Sequence, residues 1–270
     1  LYSLLDGAQQ AEGVAVVIDV YRAFTSAALM LHLGAEKLVL LAGAEAVLDL
    51  KRRQGALAVG EAGGRKVPGF DLGNSPAEVL AAGRRLFQGR VVAQRTSAGV
   101  QGAVAAARRC EKVFLGSYLT AAATARAIQA LSPPRGVISL VAMGWEGKVA
   151  TPDDEGCADY LEHLLTGRPY DHVATLQGIV AHDATQKFLR GGQPHYPPED
   201  PVFCLQRDLL GFGLLLGQEE DQLVARASWP PASSLLHRQG EEWTSHWRAR
   251  RPDSRPGYPR ASSCSSAPAI

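Results

Sequence analysis

The chain alternates short aliphatic runs with amphipathic segments that are rich in alanine and leucine. Each aliphatic run is apolar throughout rather than at every second residue, which is typical of strands that are buried on both faces of a parallel sheet. The segments between the runs have the helical period, and strands that alternate with helices indicate an α/β fold. We therefore predict a three-layer α/β/α domain with a mainly parallel or mixed sheet.

The aliphatic runs that we predict to be strands, the last of them at a sheet edge, are Val14–Val20, Lys37–Leu41, Ala56–Val59, Arg90–Gln94, Lys112–Leu115, Gly136–Met143 and Leu223–Ala227. The segments with a helical pattern, the last of them only mostly helical, are Phe24–Leu33, Ala44–Arg53, Gly99–Arg109, Ala121–Leu131, Gly156–Leu165, Tyr170–Arg190 and Val202–Leu216. A further helix should begin at Ser75-Pro76, because Ser is a preferred N-cap and Pro is well tolerated at the first helical position.

Beyond Trp229 the character of the chain changes. Residues 231–270 contain eight Ser, five Pro and six Arg, and they show no sustained helical or strand period. Such a segment cannot bury enough apolar area to offset the entropy lost on ordering. We therefore predict one α/β domain over residues 1–230 and a disordered Arg/Ser/Pro-rich tail over residues 231–270.

Charge and composition narrow the class of protein. The net charge of +1 includes the arginines of the tail, and the first 230 residues carry 22 basic and 24 acidic side chains. A weakly acidic body offers no basic face for nucleic acid. No apolar run approaches the ~18 residues of a membrane span, and Leu1–Asp6 lack the features of a secretory signal. The four scattered cysteines fit a reducing compartment. We expect a cytoplasmic protein with neither a nucleic-acid nor a membrane partner.

Acidic residues follow several of the predicted strands. In open parallel sheets, ligands bind beyond the carboxyl ends of the strands. Asp19 and Glu61 lie at the ends of two predicted strands, Asp71 lies in the glycine-rich segment after Glu61, and Asp154 belongs to the cluster Asp153–Glu155. Carboxylate oxygens are hard ligands that suit Mg²⁺. We predict that Asp19, Glu61 and Asp154 hold the metal and that Asp19, Glu61 and Asp71 are catalytic.

Groups that suit an oxyanion follow the same runs, and they are Arg22, Thr25, Arg95, Thr96, Ser97 and Ser117. Arginine can clasp a phosphate with two N–H groups, and the N-termini of the following helices favour anions. Carboxylates and anion-binding groups at one sheet edge are what metal-assisted hydrolysis of a phosphate ester requires. Each residue alone could be an ordinary turn or helix cap, so the prediction depends on their joint placement.

Other chemistry is poorly supported by the motifs. The chain has no GxxxxGK[ST] loop, no strand-linked GxGxxG and no GxSxG elbow. Phosphatases of the haloacid dehalogenase type need a second acid two residues after the nucleophile, and this chain has Tyr21 there. His182-Asp183 lacks convincing partner histidines for a metal-dependent HD hydrolase, and we expect an ordinary helical histidine.

The same segments resemble a known family. Val16–Thr25 (VVIDVYRAFT), Gly60–Gly64 (GEAGG), Gly69–Pro76 (GFDLGNSP), Gly116–Ala121 (GSYLTA) and Asp154–Ala158 (DEGCA) are similar, in order, to signature segments of 2-phosphosulfolactate phosphatases. The resemblance covers roughly Val14 to Trp229. It implies a three-layer α/β/α fold and Mg²⁺-dependent hydrolysis of (R)-2-phospho-3-sulfolactate to 3-sulfolactate and phosphate. In methanogens this step belongs to coenzyme M biosynthesis.

The resemblance also shapes what is expected of the substrate. A molecule with phosphate, sulfonate and carboxylate needs several cationic groups, and Arg65 and Lys66 join Arg22 and Arg95 as candidates. The segment Arg95–Val100 replaces an expected Thr-Thr-x-Gly-Thr turn, Thr120 stands where Asn is expected, and the N-terminal strand of the family is expected to be missing. Two alternatives therefore stay open: a phosphatase of another small phosphorylated hydroxy acid, and a catalytically silent oxyanion-binding homologue. A homo-oligomer is compatible with either.

Overall fold

A computed structural model describes residues 1–131 and 136–230. The predicted tail over residues 231–270 lies outside the described residues. The strands of the described part form one sheet and are β1 (Tyr2–Ser3), β2 (Val14–Ile18), β3 (Lys37–Leu40), β4 (Leu57–Ala62), β5 (Arg65–Lys66), β6 (Val91–Arg95), β7 (Lys112–Gly116), β8 (Ile138–Ala142), β9 (Gly213–Glu219) and β10 (Gln222–Ser228).

Helices cover the faces of this sheet. They are α1 (Leu4–Gln10), α2 (Ala23–His32), α3 (Ala44–Gln54), α4 (Pro76–Phe87), α5 (Gly99–Ala106), α6 (Ala121–Ala130), α7 (Pro152–Thr166), α8 (His172–Ala181), α9 (Asp183–Leu189) and α10 (Asp200–Cys204), with a 3₁₀ turn at Tyr118–Thr120. The α/β architecture with a mostly parallel, partly mixed sheet confirms the predicted fold class. None of the helices in the described ranges is both long and apolar enough to cross a membrane.

The sheet consists of two parallel halves joined by an antiparallel hairpin. Its order is β1-β8-β2-β7-β9-β10-β3-β6-β4-β5. Strands β1, β8, β2 and β7 are mutually parallel, and so are β3, β6 and β4. Between the halves, β7 pairs antiparallel with β9, β9 with β10, and β10 with β3. Because three antiparallel pairings separate them, the two halves run in opposite directions.

In a flat sheet, the carboxyl ends of the two halves would lie at opposite edges. Neighbouring strands are rotated by roughly 20–25°, so the five pairings from β2 to β6 accumulate roughly 100–125°. This twist turns the halves towards each other. As a result, Gly99, which follows β6, donates its backbone N–H to Asp19, which follows β2. Groups from both halves therefore meet at one site, although the sheet is not parallel throughout.

The helix α2 occupies the centre of the domain. Every residue from Ala23 to Leu31 is buried, and the helix contacts β7 of one half, β3 of the other half and the hairpin strand β10. The helix is mostly apolar, as expected for one enclosed by the rest of the fold, and its two buried hydroxyls, of Thr25 and Ser26, donate to backbone carbonyls. Since α2 begins directly after the Asp19–Arg22 turn, the packing of this helix positions that turn.

Most predicted elements are confirmed with boundaries within a few residues. The helix predicted at Ser75-Pro76 is α4, and the Ser75 hydroxyl accepts a hydrogen bond from the Glu78 N–H at 3.2 Å, as the N-cap interpretation requires. The helix α7 begins at Pro152, earlier than the predicted Gly156, because Pro152 takes the first helical position. Asp153 and Asp154 therefore lie in the first turn of this helix.

The prediction for the end of the described chain was partly wrong. Residues Val202–Leu216 were predicted to be mostly helical, but only the short helix α10 forms there and β9 begins at Gly213. The strand β9 turns into β10 through Glu220 and Asp221, whose positive φ angles of 46° and 63° suit a two-residue hairpin. The strand predicted over Leu223–Ala227 is confirmed as β10, but it pairs on both sides and is not at an edge.

The predicted helix Tyr170–Arg190 is two helices, α8 and α9. The break lies at His182, whose ψ of 148° is extended and whose ring Nδ1 accepts a hydrogen bond from the Ala184 N–H at 3.1 Å. His182 is therefore the N-cap of α9. This role accounts for the His182-Asp183 pair without a metal.

We predict that the enclosed position of α2 makes it sensitive to truncation. Met30→Ala should lower the free energy of unfolding by about 2–5 kcal/mol, since Met30 is fully buried and its loss leaves a cavity. Val173→Ala is the matched control, because Val173 is 66% exposed on α8 and its loss should cost less than about 0.5 kcal/mol. Denaturant unfolding measures both. Similar losses for the two variants would contradict a central role of α2 in the core.

Candidate active site

An open cleft lies where the ends of β2, β4, β6 and β8 meet. Its empty volume, including solvent at its mouth, is about 410 Å³. The predicted residues that line it are Asp19, Arg22, Glu61 and Ser97. A smaller cleft of about 230 Å³ adjoins it, and Asp153 and Asp154 line that one. The structure thus brings residues from four separate strand ends to one place.

The Asp19 carboxylate bridges two helix N-termini. Its Oδ1 accepts a hydrogen bond from the Ala23 N–H of α2 at 3.1 Å, and its Oδ2 accepts one from the Gly99 N–H of α5 at 2.8 Å. Burial raises the pKa of Asp19 to about 7; the hydrogen bond from Ala23 opposes the rise and the charge of Glu61 adds to it. Asp19 therefore accepts N–H groups at the start of α2 and α5, as an ordinary helix cap would. It also lines the cleft.

The Glu61 carboxylate is held by two neighbouring loops. Its Oε2 accepts the Gly64 N–H at 2.7 Å, and its Oε1 accepts the Ser97 N–H at 2.6 Å. The Ser97 hydroxyl also donates to Oε2 at 3.1 Å. The turn before α5, which we expected to bind phosphate, thus offers its Ser97 and Gly99 N–H groups to Glu61 and Asp19. Each of these backbone N–H bonds occupies one lone pair of the Asp19 or Glu61 oxygen that accepts it.

The two acids at the start of α7 have different environments. Asp154 accepts the Val20 N–H at 2.6 Å and the Gly144 N–H at 2.7 Å. Burial raises its pKa well above the usual range, and the charges of Asp153 and Asp19 add to the effect. Burial also raises the pKa of Asp153 to about 6. Asp153 is 2% exposed, and its Oδ1 has no hydrogen-bond partner among the described residues.

Most N–H groups of the Arg22 guanidinium donate hydrogen bonds to other residues of the chain. Its guanidinium donates to the His195 carbonyl at 2.8 Å, to the Gly64 carbonyl at 3.0 Å and to the Asp200 carboxylate at 3.2 Å. These three bonds leave two of the five N–H donors of an arginine for other partners. Arg22 therefore gives the cleft a fixed positive charge with limited hydrogen-bonding capacity.

Several predicted residues are not brought to the cleft. The Thr25 hydroxyl donates to the Val20 carbonyl at 2.9 Å, and the Thr96 hydroxyl accepts the Val100 N–H of the first turn of α5 at 3.0 Å. The Ser117 side chain is fully buried after β7 and does not line the cleft. The Thr25 and Thr96 hydroxyls serve the local turns, whereas the Ser117 hydroxyl has no hydrogen-bond partner among the described residues.

Two further predicted residues point elsewhere. The Asp71 carboxylate accepts the Lys51 Nζ at 2.6 Å and the Ala58 N–H at 2.9 Å, and it lies outside the cleft. The Arg95 guanidinium donates to the Glu61 carbonyl and, at 3.2 Å, to the Ser97 hydroxyl. Arg95 therefore contacts Glu61 in β4 and Ser97 in the turn before α5, and its own side chain does not line the cleft.

Several residues that line the larger cleft were not predicted. Asn74, Trp145, Lys187 and Tyr196 all lie on its wall. Asn74 is 5% exposed and its Oδ1 has no partner among the described residues. Asn74 was visible in the quoted GFDLGNSP string, but no strand precedes it directly. Lys187 and Tyr196 gave no signal, because α9 and the following loop come to the cleft only through tertiary packing.

A divalent cation fits this site in one particular way. In the described ranges, no three His, Cys, Asp or Glu side chains are arranged so that they could hold one ion. The structure therefore does not gather Asp19, Glu61 and Asp154 into a three-ligand cage. Mg²⁺, however, usually uses one or two carboxylates and completes its shell with water and substrate oxygens. Asp19 and Glu61 on the cleft wall fit that mode, and the buried acids carry charge that a cation would neutralise.

Comparison with known proteins identifies the family. The family model of 2-phosphosulpholactate phosphatase matches residues 2–191. The chain belongs to the 2-phosphosulpholactate phosphatase family.

Individual members of the family are similar over different lengths. A probable 2-phosphosulfolactate phosphatase of Thermus thermophilus is 41% identical over 161 residues, which cover 58% of this chain and 65% of the relative. One from Deinococcus radiodurans is 39% identical over 153 residues, covering 56% and 62%. One from Thermosynechococcus vestitus is 33% identical over 236 residues, covering 82% and 91%. The chain thus spans just under two thirds of the length of the first two relatives.

The Arg22–Asp200 ion pair connects the cleft residue Arg22 to the start of α4. Asp200 is fully buried, and its Oδ1 accepts the Ser75 hydroxyl at 2.6 Å and the Ala77 N–H at 3.1 Å while its Oδ2 accepts Arg22. This acid therefore connects the start of α4 to the Arg22 turn. It was missed because it lies outside any strand end.

We predict that Asp200→Ala lowers the free energy of unfolding by about 3–5 kcal/mol, because it leaves the buried Arg22 charge without its carboxylate. Asp183→Ala is the matched control. It removes the carboxylate of the exposed pair with Arg190 and should cost less than about 1 kcal/mol. Urea unfolding of both variants checks the difference, and equal losses would show that the buried pair has no special structural weight.

Proposed function

We propose that the chain is a Mg²⁺-dependent phosphatase that hydrolyses 2-phosphosulfolactate to 3-sulfolactate and phosphate. One observation carries the proposal: in a chain of this family, the buried acids Asp19 and Glu61 line the same cleft as Arg22 and Ser97. A phosphate monoester needs positive charge around the phosphoryl oxygens and a group that accepts a proton from the attacking water. The cleft offers side chains for both tasks.

The reaction assigns separate tasks to these residues. Water attacks phosphorus, the bond from phosphorus to the substrate C2 oxygen breaks, and the proton that the water loses ends on the leaving oxygen. The two remaining N–H groups of Arg22 bind the phosphate, and Ser97, whose hydroxyl donates to Glu61, lines the same cleft. Asp153 receives the proton of the attacking water, since its Oδ1 is unpartnered in the adjoining cleft. Asp71 lies outside the cleft, and its predicted catalytic role is therefore not part of this proposal.

Asp19 and Glu61 are the residues that would hold Mg²⁺. The two Asp19 oxygens and Glu61 Oε1 each accept one backbone N–H and retain a lone pair that could coordinate a cation. Glu61 Oε2 accepts both the Gly64 N–H and the Ser97 hydroxyl. The bound ion would supply neutralisation of the phosphoryl charge. Asp154 stays a predicted ligand, although both of its oxygens accept amide hydrogens.

We propose a cytoplasmic location on the basis of cysteine chemistry. Cys110, Cys157 and Cys204 are free thiols, and the latter two are buried. Free, unpaired thiols of this kind are typical of proteins in reducing compartments.

A substitution of Glu61 tests the acid whose carboxylate accepts the Gly64 and Ser97 N–H groups. Glu61→Gln keeps the shape of the side chain but removes its charge, so phosphate release from 2-phosphosulfolactate should fall by at least about 100-fold. Circular dichroism melting establishes that the variant is folded. Asp71→Asn is the matched control and should keep activity within about threefold, because its ion pair with Lys51 is partly exposed. Full activity of Glu61→Gln would contradict the assignment of Glu61 to the active site. A large loss of activity in Asp71→Asn would show that Asp71 has a catalytic role.

The second prediction concerns magnesium and pH. The pKa values of Asp19 and Asp153 are raised from 3.8 to about 7 and about 6. The folded state therefore binds these protons more tightly than the unfolded state does. Consequently, the stability of the metal-free protein should fall as the pH rises from about 4 to about 7.

Magnesium should reverse this loss where the acids are ionised. At a concentration of about 100 times its Kd, a ligand stabilises the native state by about 2.7 kcal/mol, which is roughly 5–10 °C in melting temperature for a domain of this size. We expect such a shift with MgCl₂ at pH 8 and a much smaller one at pH 5, relative to KCl of equal ionic strength with EDTA. A shift that is absent, or equal at both pH values, would contradict the magnesium site.

A further inference from the structure

Lys187 lies where the two clefts meet, since it lines both of them. Its Nζ is 3.5 Å from the centroid of the Trp145 ring, 4.9 Å from that of Tyr196 and 5.4 Å from that of Phe188. Aromatic faces attract cations, and this attraction is strongest where water is excluded. The three rings therefore hold the ammonium group in a defined position on the cleft wall.

The charge of Lys187 has no carboxylate partner. Within the described residues, Lys187 forms no ion pair within 4.0 Å. The nearby charge of Asp153 favours the ammonium, but burial outweighs it and lowers the pKa of Lys187 to about 8. A partly buried cation without a partner is costly unless another group compensates it. A ligand anion in the cleft would do so.

A second cation, Arg22, lies near two of the same rings. The guanidinium carbon of Arg22 is 5.6 Å from the Phe188 centroid and 5.3 Å from the Tyr196 centroid. Arg22 and Lys187 therefore share two aromatic neighbours. They differ in their ion pairs, because Arg22 is paired with Asp200 and Lys187 is not. Two cations in one cleft suit a substrate with two anionic groups.

We propose that Lys187 binds the acid group of the substrate that is not the phosphate, and that it thereby selects phosphorylated acids over phosphate esters without a second anion. The inference rests on the proposed phosphatase function and adds the residue that determines specificity. The acid group is a carboxylate or a sulfonate, since both carry a single negative charge on oxygen atoms that accept hydrogen bonds from an ammonium.

Three substrates separate these groups. 2-Phosphosulfolactate carries a sulfonate and a carboxylate, 2-phospholactate carries only the carboxylate, and isopropyl phosphate carries neither. The value of kcat/KM is measured for each with Mg²⁺ in the wild type, in Lys187→Gln and in Lys187→Arg. Lys148→Gln is the matched control, because Lys148 is 77% exposed and pairs with Glu146 at 3.7 Å.

We expect Lys187→Gln to lose about 10- to 100-fold in kcat/KM on the substrate with the recognised acid group, mainly through KM, since a hydrogen bond to a charged group is lost. The loss on isopropyl phosphate should be at least about tenfold smaller. Lys187→Arg should restore part of the loss, and Lys148→Gln should change the selectivity by less than about twofold. A drop in selectivity between the first two substrates assigns the sulfonate, and one between the last two assigns the carboxylate. Equal losses on all three would overturn the proposal.

A binding measurement separates this inference from the proposed function. If the wild type hydrolyses none of the three esters, the phosphatase proposal fails, but Lys187 can still be tested with 3-sulfolactate, which carries both acid groups and no phosphate. Titration calorimetry should then show binding to the wild type and at least about tenfold weaker binding to Lys187→Gln. Equal affinity of the two proteins, or no binding to the wild type, would overturn the inference.

Discussion

The Asp19 carboxylate joins the two halves of the sheet, because it accepts one N–H group from the helix that follows β2 and another from the turn that follows β6. These halves run in opposite directions, and the twist of the sheet and the packing of its helices bring their ends together. A buried carboxylate that accepts amides from both sides therefore fixes the geometry of the cleft. Glu61 adds a second link within the other half, between the loop after β4 and the turn after β6.

This arrangement has an energetic consequence. Asp19, Asp153 and Asp154 are buried near one another, and burial raises the pKa of each of them. Burying ionised acids is costly unless an opposite charge compensates them. Sites that place charges in this way are often functional, because the missing partner is the ligand or the cation. The cleft thus combines a local loss of stability with the charge pattern that the proposed chemistry needs.

The cleft depends on segments that are far apart in the chain. Its acids come from the first half of the sequence and from the start of α7, whereas Lys187 and Asp200 come from α9 and α10. The Arg22–Asp200 ion pair connects these regions, and it also orients the start of α4 through Ser75.

The sequence alone determined the strands and helices from β2 to β8, except the short strand β5, together with the N-cap at Ser75 and the acids Asp19 and Glu61, because aliphatic runs, capping residues and strand-end polar groups are local signals. It did not determine which hydroxyls face the cleft: Thr25 and Thr96 satisfy neighbouring backbone groups instead. Nor could it place β10 inside the sheet or Lys187 in an aromatic cage, since both depend on contacts between residues distant in the chain. Tertiary structure decided these points, because twist and packing, rather than local pattern, choose which strand ends and side chains meet.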